Sequence, residues 1–258
     1  MTQRVIRSGT WTIMPEWSAA GIILSVRPHG EGSAVVTVLT SEHGRHAGLV
    51  RGGLSSKMRG TLQPGNRIRA GWRARLPEQL GQMQIELDQS VSALLLDDPL
   101  RLAGMASICE LLDGALPERE PQPNLYNGTN ALLDLMCIED SQNRWIEGYI
   151  RWELGLLHAV GFRLELDRCA ASGQSTNLGY VSPKSGGAVA IDQVGEYVSR
   201  MLALPQFLGG VSCKEHDYAA GIALTAHFLG RRVFGAHNLD IPTQRKRLGD
   251  MVVGIYGS

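Results

Sequence analysis

The sequence predicts a multidomain α and β chain, with an all-β barrel over residues 16–97 and an α-helical region after it. Three observations carry that prediction: short β-branched runs broken by Gly and Pro up to residue 96, an Asp97-Asp98-Pro99 helix-start signal, and apolar residues spaced by three and four thereafter. With 258 residues, 43% of them hydrophobic, the chain can build more than one core.

Residues 1–15 read as an extension ahead of the barrel. Residues 22–26 give a first strand, Pro28-His29-Gly30-Glu31-Gly32 a turn, residues 34–39 a second strand, Glu42-His43-Gly44 another turn, and residues 47–50 a third strand. Pro and Gly fix the breaks, and the Val, Ile and Thr between them favour pleated backbone. Residues 54–65 form a polar loop carrying Lys57 and Arg59. Residues 66–76, 82–87 and 91–96 supply further strands, enough for an OB-type barrel of five.

The run NRIRAGWRARL at 66–76 is the strongest chemical signal. Successive strand side chains point to opposite faces, so Ile68, Ala70, Trp72, Ala74 and Leu76 fall on the core face. Arg67, Arg69, Arg73 and Arg75, with Gly71, fall on the other. The row spans about 20 Å at the usual strand rise, the reach of several backbone phosphates. A solvated outer face on an edge strand is the plainer explanation. Four Arg with no acid among them favour phosphate contact, with Arg51, Lys57 and Arg59 adjoining and Arg27, Arg45 and His46 as weaker candidates.

Beyond Pro99, one amphipathic helix runs through Leu102, Ala106, Cys109 and Leu112 to Leu116, and residues 118–123 read as a linker. A second helix begins in residues 131–136, and a third carries Trp145, Tyr149, Trp152, Leu156 and Leu157 to a Gly161 cap. Residues 166–191 break the helical pattern. Asp192 reads as the N-cap of a helix through Tyr197, Val198 and Leu202, and two more helices follow, from about residue 214 to 232 and from 244 to 253.

Charge is uneven although the net is zero: residues 1–90 hold 11 Lys/Arg against 6 Asp/Glu, residues 91–258 hold 14 against 19. A basic front suggests a polyanion partner there. Cys109, Cys137, Cys169 and Cys213 have neither zinc spacing nor the density of a disulfide framework. No apolar run approaches the ~18 residues that cross a bilayer, and the amino terminus lacks a secretory core, so the chain is expected in the cytoplasm and off the membrane. GGLSSK at 52–57 lacks phosphate-loop spacing.

The order GIIL, R-x-x-GE, a β-branched run ending LT, HG, then GLVRG in residues 21–52 resembles the amino-terminal domain of the bacterial RecO family of DNA repair and recombination mediators. WELGLLHAVGF at 152–162, LDRCAASG at 166–173 and YVSPKSGG at 180–187 continue the resemblance in family order. It implies an OB-fold barrel followed by a helical domain, residues 98–165 with 192–258, and a zinc-module-like insertion at 166–191. That module is degenerate here: Cys169 stands where a C-x-x-C would begin, but Ser172 replaces its partner and no cysteine lies at 190–193. One thiolate cannot hold a structural zinc, so neither metal nor cofactor is expected.

The resemblance further implies a non-enzymatic protein that binds single- and double-stranded DNA and anneals complementary strands. It implies action with RecR and with the tail of single-strand-binding protein to load RecA, in the cytoplasm at the nucleoid. Two other readings start from the residues: an OB-fold RNA-binding module using the same arginines, or a small hydrolase built on Cys213 and His216.

Overall fold

Period-2 runs build five strands, each at least as long as its sequence signal except the fourth, whose signal spans 66–76 and which ends at Arg73. In this computed structural model, which describes residues 4–5, 12–13, 16–138, 144–211 and 217–257, β1 is Glu16–His29, β2 Ser33–Thr40, β3 Gly44–Val50, β4 Arg67–Arg73 and β5 Gln82–Gln89. They close in the order β1-β2-β3-β5-β4 and back to β1. Every neighbour is antiparallel except β3 and β5, which meet in parallel at the single pair Leu49↔Gln82. This is the five-stranded OB-type barrel that the sequence predicts. β1 serves both sides of it, pairing β4 with its first half and β2 with its second, and a register shift between Ile23 and Ser25 bends it between the two.

One sequence expectation is corrected here, and the edge-strand alternative for residues 66–76 falls with it. Residues 91–96 are not a strand: Val91–Leu94 is a short helix, because buried Asn66 accepts through Oδ1 from both Ser92 N and Ser92 Oγ at 3.1 and 3.0 Å and pins the turn. Nor is β4 an edge strand, since it pairs with β1 and β5 along its whole length.

The chain divides into two compact units, Met1–Asn127 and Gly128–Ser258. α1, Pro99–Ala115, belongs to the first. Asp98 caps it, accepting from Leu100 N and Arg101 N, and Cys109 Sγ reaches Ile23 O of β1. The expected linker at 118–123 is instead a strap on the barrel: Arg119 N donates to Arg45 O, and Glu118 bridges Arg45 in parallel.

α2, Pro123–Cys137, starts in the first unit and runs on in the second. α3, Arg144–Ala159, buries Trp145, Tyr149, Trp152, Leu156 and Leu157 as its spacing predicts. Gly161, at φ 91°, ends it, with Phe162 N donating to Leu157 O and Gly161 N to His158 O.

Residues 166–191 prove to hold a small sheet: β6, Glu165–Cys169; β7, Leu178–Val181; β8, Gly187–Ala190; completed by β9, Leu202–Ala203, in the order β9-β7-β8-β6. The long helix expected after Asp192 is corrected to one turn, Ile191–Val194, and an exposed 3₁₀ stretch, Gly195–Arg200. Gly195 at φ 51° breaks it. Asp192 is no cap; it accepts from Gln174, Asn177 and Gln193 side chains.

α4, Tyr218–Phe228, widens into a π turn at Leu229–Phe234, and α5 is Thr243–Tyr256. Between α3, α4 and α5 lies a buried ion pair: Arg245 clasps Glu153 through two nitrogens, Tyr149 Oη and Thr225 Oγ1 donate to the same carboxylate, and Arg245 also donates to Ile222 O. The two charged side chains are 2% and 0% exposed. Among the described residues no helix is long and apolar enough to cross a membrane.

Candidate nucleic-acid interface

β4 presents its arginines in the register read from the sequence: Ile68, Ala70 and Trp72 are buried, Arg69 and Arg73 exposed, Arg67 half-buried. The strand ends at Arg73, but alternation runs on through buried Ala74 and lapses only at Leu76. Arg75 is exposed beyond it, and Leu76, expected inside, is 46% exposed.

The row is not free of acids once folded. Arg69 lies opposite Glu86 on β5, Arg73 opposite Glu16 on β1, and Arg67 donates to Gln89 Oε1 at 2.7 Å. Neighbouring strands thus place acids opposite Arg69 and Arg73 that β4's own sequence lacks.

The weaker candidates separate. Arg45 points outward and is committed to α1 and the strap: it donates to Leu116 O at 2.8 Å and pairs with Asp113 and Glu118. Arg27, 71% exposed, pairs with the other Asp113 oxygen at 3.0 Å. His46 is no surface contact at all. His46, Gly48 and Val50 face inward on β3, and His46 is 4% exposed, edge-on to Trp17 and Trp72 at 5.1 and 4.6 Å.

Arg51, Lys57 and Arg59 remain exposed in the loop that follows β3. Beside that loop, where β3 and β5 part after their single pair, a cleft of about 630 Å³ opens. Its floor is Trp17, Val50, Met58, Trp72, Met83 and Ile85, and its rim carries Arg51, Arg73, Glu16, Gln82 and Gln84. Trp17 and Trp72 lie 6.0 Å apart and nearly parallel, and Trp17 stacks on His43 at 4.4 Å. Trp72 Nε1 donates to Leu80 O at 2.8 Å, and the Arg119 guanidinium sits 5.8 Å over its ring while donating to Pro77 O and Gln79 O.

An apolar, aromatic-walled cleft with an arginine on each bank can hold unstacked bases against its floor and phosphates at its rim. Sequence reasoning missed Trp17 and Met58. Trp17 sits in a stretch read as the start of the barrel, and its pairing with Trp72 is a matter of register.

Among the described residues, neither ring nitrogen of His46 has a hydrogen-bond partner. Burial first, then Arg119 and His43 nearby, pull its pKa from 6.5 down to about 4. The unfolded chain therefore takes up a proton near pH 6.5 that the folded barrel refuses until about pH 4. The stabilisation is complete above the unfolded pKa and is lost as pH falls from 6.5 to 4. In urea denaturation we expect wild type to lose about 2 kcal/mol relative to His46→Leu across that window, after allowance for solvent screening. A gap that stays constant with pH would show that His46 titrates as it does in the unfolded chain.

Burial pushes the Cys169 thiol up, but hydrogen bonds from Ser172, Ala190 and Ala171 outweigh it and bring it to about 7. No group of three or more His, Cys, Asp or Glu placed to hold a metal occurs among the described residues. Cys213 and His216, the pair behind the hydrolase reading, lie outside them.

Two family profiles match the chain: recombination protein O N terminal over residues 14–90 and recombination protein O C terminal over residues 96–239. The chain belongs to the RecO family. Curated relatives called DNA repair protein RecO include that of Rhodospirillum centenum, 49% identical over 238 residues, covering 91% of this chain and 94% of the relative. That of Rhodospirillum rubrum is 43% identical over 239 residues, with 91% and 95% covered, and one from Cereibacter sphaeroides is 43% identical over 241 residues, with 93% and 99% covered. In this RecO family member, then, the barrel and its cleft lie in the amino-terminal match, and the buried ion pair and small sheet are built by residues 149–245, largely within the carboxyl-terminal one.

Proposed function

We propose that this RecO family member is a DNA repair and recombination mediator that binds single- and double-stranded DNA through its barrel and anneals complementary strands. It acts without catalysis, in the cytoplasm at the nucleoid. With RecR it lets RecA load on DNA coated by single-strand-binding protein, whose acidic, apolar tail it receives in the helical region after residue 99. The observation that carries the DNA-binding part is the cleft beside β5: an apolar floor with Trp17 and Trp72, and Arg51 and Arg73 at its rim, next to exposed Lys57 and Arg59. These groups meet backbone phosphate and base faces without reading sequence, so affinity falls as salt rises.

The test is anisotropy of a labelled single-stranded oligonucleotide at several salt concentrations. Arg51→Ala/Arg73→Ala removes two phosphate contacts and flattens the log–log salt slope by about 1.4. Arg67→Ala/Arg69→Ala, at positions that do not line the cleft, flattens it less. An unchanged slope in the first variant removes the cleft from the reading. Stronger competition by an RNA of equal length than by DNA would turn the assignment to an RNA-binding module.

A further inference from the structure

A second basic surface lies in the carboxyl-terminal unit, gathered around the hairpin turn between β7 and β8. Lys184 stands exposed at its tip. The turn's backbone is held from the π stretch: Arg232 donates to Lys184 O at 2.6 Å, and His227 Nε2 lies 3.0 Å from Pro183 O. Glu165 N donates to Gly186 O, which brings Arg163, 65% exposed, to the other side of the turn. Arg231, beside Arg232, is exposed as well.

Compensation of a helix dipole does not account for this arrangement. Arg232 spends its guanidinium on a carbonyl of the hairpin, 48 residues away in sequence, and not on the last carbonyls of its own helix. Among the described residues, Arg231 and the Lys184 ammonium have no ion pair or hydrogen bond. The acid paired here is Glu165, 3.5 Å from Arg163 and itself 69% exposed. A π turn commonly marks a functional position in a helix. Here it places two arginines next to a braced lysine.

We propose that Arg163, Lys184, Arg231 and Arg232 form a second phosphate-contacting surface for the nucleic-acid backbone, separate from the barrel cleft. The inference rests on the nucleic-acid reading above and adds to it. Two independent contacts on one chain would let it hold two strands, or two stretches of one strand, at once. The residues are point charges and forks without an aromatic floor, so the surface takes backbone in single-stranded or duplex form and reads no base.

The experiment uses the full chain and a labelled duplex, with binding measured from 50 to 200 mM salt. Lys184→Ala/Arg231→Ala should flatten the slope by about 1.8, so that the affinity lost over that range is about tenfold smaller than in wild type. Arg231→Lys, which keeps the charge, should retain the wild-type slope. An unchanged slope in the double variant overturns the second surface while leaving the cleft standing if Arg51→Ala/Arg73→Ala still flattens its own. Equal flattening in Arg231→Lys traces the effect to folding and also overturns it. Wild type without salt-dependent binding removes both readings together.

Discussion

Arg245→Ala is expected to cost about 3–5 kcal/mol of unfolding free energy, because it leaves Glu153 charged, wholly buried and without its cation. Tyr149 and Thr225 would still donate to the carboxylate, but two neutral hydrogen bonds do not replace a two-point guanidinium clasp. Arg245→Lys should recover little, since an ammonium cannot span both oxygens and also reach Ile222 O. Removing both charges as Arg245→Met/Glu153→Leu should recover most of the loss, the usual outcome when a buried pair is replaced by apolar residues of similar volume. Tryptophan fluorescence in guanidinium reads these differences, with Trp145 and Trp152 both on α3. If Arg245→Ala and the double variant cost the same, the pair is not what holds α3, α4 and α5 in register.

A comparison of two glycines gives the second large effect. Gly44 and Gly30 have nearly the same backbone, φ 60° and 62°, so alanine at either brings about 1–2 kcal/mol of left-handed strain. They differ in what surrounds them. A Cβ at Gly30 meets nothing within 4 Å, whereas one at Gly44 would lie 2.0 Å from the Glu120 carbonyl oxygen. That neighbour is backbone and cannot rotate away. Gly30→Ala should therefore cost about 1 kcal/mol and Gly44→Ala at least about 3. Gly44→Ala should also speed hydrogen exchange at the Arg119 amide, which donates to Arg45 O. Equal costs for the two variants would mean that residues 118–120 do not rest on β3 in solution.

What the sequence made legible follows from the range of each physical rule. The side-chain period of two placed Ile68, Ala70 and Trp72 inside and Arg69 and Arg73 outside, because that rule needs only β4 itself. The same rule applied to β3 turns His46 inward once Arg45 faces out, but a strand start placed at residue 47 left both candidates outside its reach. The acids opposite the arginines depend on register between strands, and Glu16 and Glu86 reach β4 from either side of the barrel. The cleft depends on the same long-range pairing, so Trp17 gave no local signal. Helix α3 was plain from its apolar spacing and its Gly161 cap. The small sheet was not, because its strands are two to five residues long and its pairs cross from residue 165 to 203. The strap at 118–120 uses main-chain hydrogen bonds, which any sequence can make, and its polar composition reads as a tether.

That strap decides where the chain can be cut. A fragment ending at residue 97 would keep all five barrel strands yet lose Asp113, Glu118 and the Leu116 carbonyl from Arg45, and Arg119 from the face of Trp72. It would uncover the middle of β1, at Ile22 and Ile23, where Cys109 docks. The compact unit that holds the barrel runs to Asn127, so α1 and residues 116–122 act as the barrel's own outer wall, although the carboxyl-terminal family match already begins at residue 96.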